Sequence, residues 1–178
     1  MPDLKPLRSY DEHEVLPFYA YSGSYPVKKG TFVKIPAGSG FMGQDLDIIG
    51  AAGNTYAGVE SPRWGLQSVV QSVSATGDYV LGMLLYDGRE TDENGEQLKF
   101  HPRKQTEMQV FLSGQAAPIV TKGEFLYSGI SGTVVPNAPL YFDPLTAGLM
   151  TVGVANNLVG KALGNKDSAG FAYVKIDL

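Results

Sequence analysis

The chain contains no cysteine, which excludes disulfides and thiolate metal centres. Histidine is nearly as scarce. His13 and His101 stand far apart, each without a second ligand-type residue in register, so a histidine metal centre has no basis in the sequence. The single tryptophan, Trp64, offers only a thin platform for stacking a sugar. No apolar run approaches membrane-spanning length. The opening MPDLKPLRSYDEHEV also lacks the apolar core a signal peptide requires. Together these set the expectation of a soluble product made in the cytoplasm, with no membrane partner. Fourteen basic residues against 18 acidic ones give a net charge of −4, and the bases are scattered apart from Lys28–Lys29 and Arg103–Lys104. Nucleic-acid binding needs a basic stripe, so no nucleic-acid partner is expected.

What is present is turn and strand chemistry. The 178 residues include 22 glycines and 11 prolines, and 11% of the chain is aromatic. That length suits one domain, burying roughly 70% of the surface its unfolded chain exposes. From Pro118 to Leu178, short aromatic and β-branched runs alternate with Gly, Pro, Asn and Asp at intervals of roughly ten residues, the spacing of a barrel or sandwich.

Earlier in the chain, residues 1–26 read as an extended N-terminal arm, because Pro2 and Pro6 disfavour a helix. Its end, VLPFYAYSGSYPV (Val15–Val27), is too apolar for a free tail and reads equally as a first barrel strand. A strand is predicted at Thr31–Ile35, stopped by Pro36. The glycine-rich stretch 37–65 reads as a long irregular insertion. Leu66–Val73 is ambiguous between helix and strand, its valines favouring the strand. The nearly continuous apolar run Tyr79–Tyr86 predicts a strand buried on both faces. Asn94-Gly95 predicts a hairpin with Gln97–Phe100 returning. Further strands are predicted at Glu107–Leu112, Ala117–Thr121, Glu124–Tyr127 and Gly170–Ile176. GTFVKI (Gly30–Ile35) and GFAYVKI (Gly170–Ile176) echo each other, suggesting strands that pair or hold equivalent positions.

Several patterns imitate chemistry. GSGFMG (Gly38–Gly43) is a literal G-x-G-x-x-G with Glu60 downstream. The fingerprint needs glycines that open a helix in a βαβ unit, however, and here Gly50 and Gly53 follow at once. A flexible glycine loop fits better. Asp87, Glu90, Asp92, Glu93 and Glu96 are not spaced as an EF-hand loop and read as a hairpin tip. GISG and YSGSY lack the full serine-elbow pattern. No cofactor and no catalytic residue is expected.

The layout of the last third resembles the small β-barrel head decoration (cement) proteins of tailed bacteriophages. The matching pieces are PIVTKGEFLYSG (Pro118–Gly129), the Gly-Thr-Val-x-Pro start at Gly132–Pro136, PLYFDP (Pro139–Pro144), VGKAL (Val159–Leu163) and the closing VKIDL (Val174–Leu178). KKGTFVKI resembles their opening strand, while Ala37–Pro102 matches nothing in them and is expected to be an insertion contacting neighbours.

The resemblance implies a non-enzymatic virion protein on the outer capsid surface. Such a protein is often a homotrimer, and it clamps subunits of the major capsid protein. The implied fold is all-β, a barrel or sandwich of about eight to eleven short strands. Leu7, Tyr10, Phe18, Tyr19, Tyr21 and Tyr25 are the expected arm contacts on a neighbouring subunit, with Phe41 and Met42 marking a second contact loop. The alternative is a carbohydrate- or receptor-binding β-module of a virion. A third reading is a hydrolase with a non-local triad using His13 or His101.

Overall fold

Buried residues alternate with exposed or half-buried ones along Lys122–Tyr127 and Ala172–Asp177. The two segments pair antiparallel, from Lys122↔Asp177 to Tyr127↔Ala172. Successive side chains in a strand point to opposite faces, so Phe125, Tyr127, Ala172, Val174 and Ile176 share one buried face. These are β13 (Lys122–Tyr127) and β18 (Ala172–Asp177). The computed structural model describes residues 3–10, 14–16, 19–37, 40–41, 59–61, 66–67, 69–75, 77–144, 148–151 and 158–178.

β13 and β18 belong to a seven-stranded sheet. On one side β1 (Leu4–Pro6) lies along β13 with Leu4 opposite Tyr127. On the other side follow β17 (Leu158–Ala162), β15 (Pro139–Asp143), β16 (Gly148–Met150) and β14 (Ile130–Ser131). β14 starts only three residues after β13 ends, yet it pairs parallel with β16 at the far end of the sheet. The sheet therefore curls back toward the strand it began with. Leu140, Phe142, Leu149, Val159 and Ala162 complete its buried face.

The second sheet has six strands. In spatial order they are β2 (Val15–Leu16), β12 (Ile119–Val120), β9 (Gly82–Leu84), β4 (Phe32–Lys34), β8 (Val69–Ser72) and β3 (Ala20–Tyr21). Both of its faces are apolar. Phe32, Met83 and Val120 face the curled sheet, where Phe32 meets Phe142 edge-on with centroids 5.6 Å apart. Val33, Leu84, Ile119 and Val70 turn the other way, onto Tyr21, Val27, Phe111 and Ala117. The excursion 87–115 covers that side through a parallel pair, β10 (Asp87–Gly88) and β11 (Val110–Phe111). It also carries a short helix α1 (Pro102–Glu107) and a small core of Leu98, Val110 and Leu112. Among the described residues the architecture is all-β and sandwich-like, with no closed barrel.

The strands are more numerous and shorter than expected. The stretch 37–65 contributes β5 (Gly40–Phe41) and β6 (Val59–Ser61), which pair with β7 (Leu66–Gln67) in a three-stranded sheet. The predicted strand Tyr79–Tyr86 contracts to Gly82–Leu84, and Tyr79 is 74% exposed. Only Gln97 returns across the hairpin, bridging Thr91. Leu98–Phe100 then forms a 3-10 turn that sinks Leu98 into the small core. Of Glu107–Leu112 only Val110 and Phe111 are strand, after Gln109 takes a φ of 51° at the end of α1. The echoing segments do not pair: β4 and β18 lie in different sheets.

Candidate interaction surface

Residues 3–10 are bound to the side of the curled sheet. Ser128 Oγ accepts from the Asp3 N–H at 2.9 Å, and the Ser128 N–H donates back to the Asp3 carbonyl at 3.1 Å. Pro6 ends β1 where β13 still has an open edge at Glu124. Tyr10 fills that gap. Its hydroxyl donates to the Glu124 carbonyl and accepts from the Glu124 N–H at 3.1 Å, so a side chain does the work of one more strand residue. Its ring lies on Phe125 and Arg8 covers the other face, 4.8 Å from the centroid. Burial raises the Tyr10 pKa above its ordinary value, opposed by the bond to Glu124.

Three more of the expected contact residues, Tyr19, Tyr21 and Tyr25, also pack on their own chain. Tyr21 is buried, and Tyr19 and Tyr25 are half-buried against the same cluster. Tyr25 meets Tyr21 edge-on at 5.6 Å and Phe111 at 6.3 Å. Leu7 points outward instead, 50% exposed. Phe41 lies in β5, while Phe18 and Met42 lie outside the described residues.

Two surface features escaped sequence reasoning. The first is a cleft of about 430 Å³ lined by Tyr25, Pro26, Lys28, Arg89, Glu90 and Asp92. Arg89 is held by Asp87 at 3.0 Å, and Glu90 accepts from the Ser113 N–H at 2.8 Å. Desolvation pushes the Tyr25 phenol up to about 12, and Glu90 adds to the shift. The second is a groove of about 470 Å³ on the outer face of the curled sheet, between Asn137, Pro139, Leu158, Lys161, Lys175 and Asp177. Strand alternation in VGKAL and YVKIDL predicts that both lysines point outward. Only the register, which the sequence does not carry, puts them opposite each other.

The acidic cluster resolves into a structural turn. Asp92 is buried and accepts from the Asn94 and Glu96 N–H groups, both at 2.8 Å, and from the Lys104 ammonium. The Lys104 bond, with those backbone donors, holds the Asp92 carboxyl below the usual range. Among the described residues no three His, Asp or Glu side chains converge as a metal site would, and no helix is long and apolar enough to cross a membrane. No family model and no curated protein matches the chain.

Proposed function

We propose that this chain is a capsid decoration protein of a tailed phage, which stabilises the head by clamping subunits of the major capsid protein and assembles with copies of itself as a trimer. The observation that carries the reading is the placement of the pieces behind the resemblance. Pro118–Gly129 runs from β12 of the six-stranded sheet into β13 of the curled sheet, where Pro139–Pro144, Val159–Leu163 and Val174–Leu178 supply the adjoining β15, β17 and β18; Gly132–Pro136 lies outside the strands. KKGTFVKI supplies Phe32, whose ring docks on that sheet's Phe142 and Tyr127. A clamp of this kind works non-enzymatically, through apolar burial and repeated contacts across a lattice. Its place would be the outer capsid surface.

The test is co-sedimentation of the purified protein with expanded heads of the phage that encodes it, stripped of decoration protein. Saturable binding and a higher head-disruption temperature are expected; no binding at saturating protein would overturn the proposal. A second reading, a carbohydrate- or receptor-binding module of a virion, is favoured by the Tyr25–Asp92 cleft. That cleft sets an aromatic ring beside Lys28, Arg89 and Glu90. A glycan array that is positive for the wild type and blank for Arg89→Ala would favour it.

A further inference from the structure

One row of residues crosses the outer face of the curled sheet. Glu124 on β13 stands opposite Lys175 on β18, Lys175 opposite Lys161 on β17, and Lys161 opposite Pro139 on β15. Two lysines face each other directly, an arrangement that costs stability in a sheet. Six other described cations, Arg8, Lys29, Lys34, Arg89, Lys104 and Lys122, each have a carboxylate within 4 Å. Among the described residues Lys161 and Lys175 have none. Glu124, opposite Lys175, accepts from the Tyr173 hydroxyl at 2.5 Å, and Asp177, which shares the groove, pairs with Lys122 at 3.3 Å. The remaining described cations without a carboxylate, Lys28 and Arg103 among them, are not strand neighbours of each other.

Beside the lysine pair the groove exposes apolar surface, with Leu158 50% exposed and Pro139 also open. A protein with surplus acid of its own, 18 residues against 14 basic, thus sets two facing lysines, neither with a carboxylate within 4 Å, next to exposed apolar side chains. We infer that this face is a docking site for an acidic, extended polypeptide segment of the capsid subunit, its carboxylates meeting Lys161 and Lys175 and its apolar side chains lying on Leu158 and Pro139. The net negative charge of the chain disfavours non-specific binding of an acidic segment, and the facing lysines favour it here. The naming of the capsid subunit rests on the decoration reading; the chemistry of the occupant does not.

The probe is a labelled peptide of alternating glutamate and leucine, followed by fluorescence anisotropy, with a lysine–leucine peptide as control. The acidic peptide is expected to bind, to weaken as salt rises, and to weaken roughly tenfold in K161A/K175A, the scale two exposed ion pairs supply. The variant K99A/R103A removes the same charge elsewhere and is expected to bind like wild type; equal weakening there would reduce the effect to net charge and overturn the site. Lys161→Ala is also expected to raise the urea midpoint while lowering peptide affinity, an opposition that a merely structural lysine would not produce.

With heads, K161E/K175E is expected to lose binding. If that variant binds heads like wild type, the docking face fails and decoration stands. If the wild type binds the peptide but no heads, decoration fails and the face stands. A wild-type oligomer by light scattering that K161E/K175E dissociates would make a second copy the occupant and overturn the assignment to the capsid subunit.

Discussion

Tyr10 stacks on Phe125 with ring centroids 4.9 Å apart and planes inclined by 23°, and Gly123 makes the contact possible. A Cβ on Gly123 would lie 2.4 Å from Tyr10 Cε1 and 2.8 Å from Phe125 Cζ. Gly123→Ala is therefore expected to displace Tyr10 and cost about 1–3 kcal/mol in urea unfolding, the range for overpacking a filled site. In a Tyr10→Ala background the same substitution should cost less, since the two share one contact. Equal costs in both backgrounds would mean that Tyr10 does not hold β1 against the sheet.

Tyr10→Phe keeps the ring and removes the hydroxyl that serves both backbone groups of Glu124. A loss of about 1 kcal/mol is expected. Faster amide exchange at Glu124, with Val174 unchanged, is the specific signature.

Acid should destabilise the fold through two carboxylates. Asp78 is held low by the Lys34 hydrogen bond at 2.7 Å, and Asp92 by the bond from Lys104. A carboxyl with a depressed folded pKa contributes in full above its unfolded value of about 3.9, and the contribution is lost as pH falls through the folded value. Stability is expected to drop below about pH 4. Asp78→Asn and Asp92→Asn should each flatten that slope in urea unfolding at graded pH; an unchanged slope in the double variant would show that neither contributes.

Alkali should act through buried phenols. Tyr127 is fully buried, donates to the Gly30 carbonyl at 3.2 Å, and has its pKa raised by that burial; Tyr25 is pushed up to about 12. A raised folded pKa leaves stability intact below the unfolded value of about 10 and removes it as pH climbs through the folded value. Ultraviolet titration should show these two phenols ionising late and with unfolding. In Tyr127→Phe the alkaline loss should begin later.

Gly160→Ala tests the closest backbone approach in the curled sheet. The added Cβ would stand 2.0 Å from the Lys175 carbonyl, which cannot move without parting β17 from β18. A loss above about 3 kcal/mol or failure to fold is expected. Gly95→Ala is the contrast: nothing lies within 4 Å of its Cβ, and only its φ of 82° is strained, costing about 1 kcal/mol.

The all-β class was legible because short aromatic and β-branched runs such as KGEFLY and AYVKID recur between turn residues, each placing its most apolar side chains on one face. Tyr79–Tyr86 misled for a physical reason. Continuous apolarity says that a segment is buried, not that it is hydrogen-bonded as strand, and Val80 and Leu81 pack as linkers. Gln97–Phe100 failed similarly, because Leu98 needed the small core with Val110 and Leu112, which lie more than ten residues onward. The aromatic residues before Val27 were recognised as packing groups, but a sequence does not say against which chain. The facing of Lys161 and Lys175 depends on inter-strand register, a long-range property that no local pattern encodes.

The nearly continuous run of β13 into β14 also has a mechanical consequence. Because one stretch of backbone is tied into the sheet at β18 and again, parallel, at β16, tension along it is shared between both ends of the curl, as in a hoop. Peeling from β14 must break the Leu149–Gly129 bond and the Ile130↔Leu149 register before any other strand is released. A pulling axis through Leu178 meets β18 between two antiparallel neighbours and loads their hydrogen bonds in shear, all at once, rather than one after another.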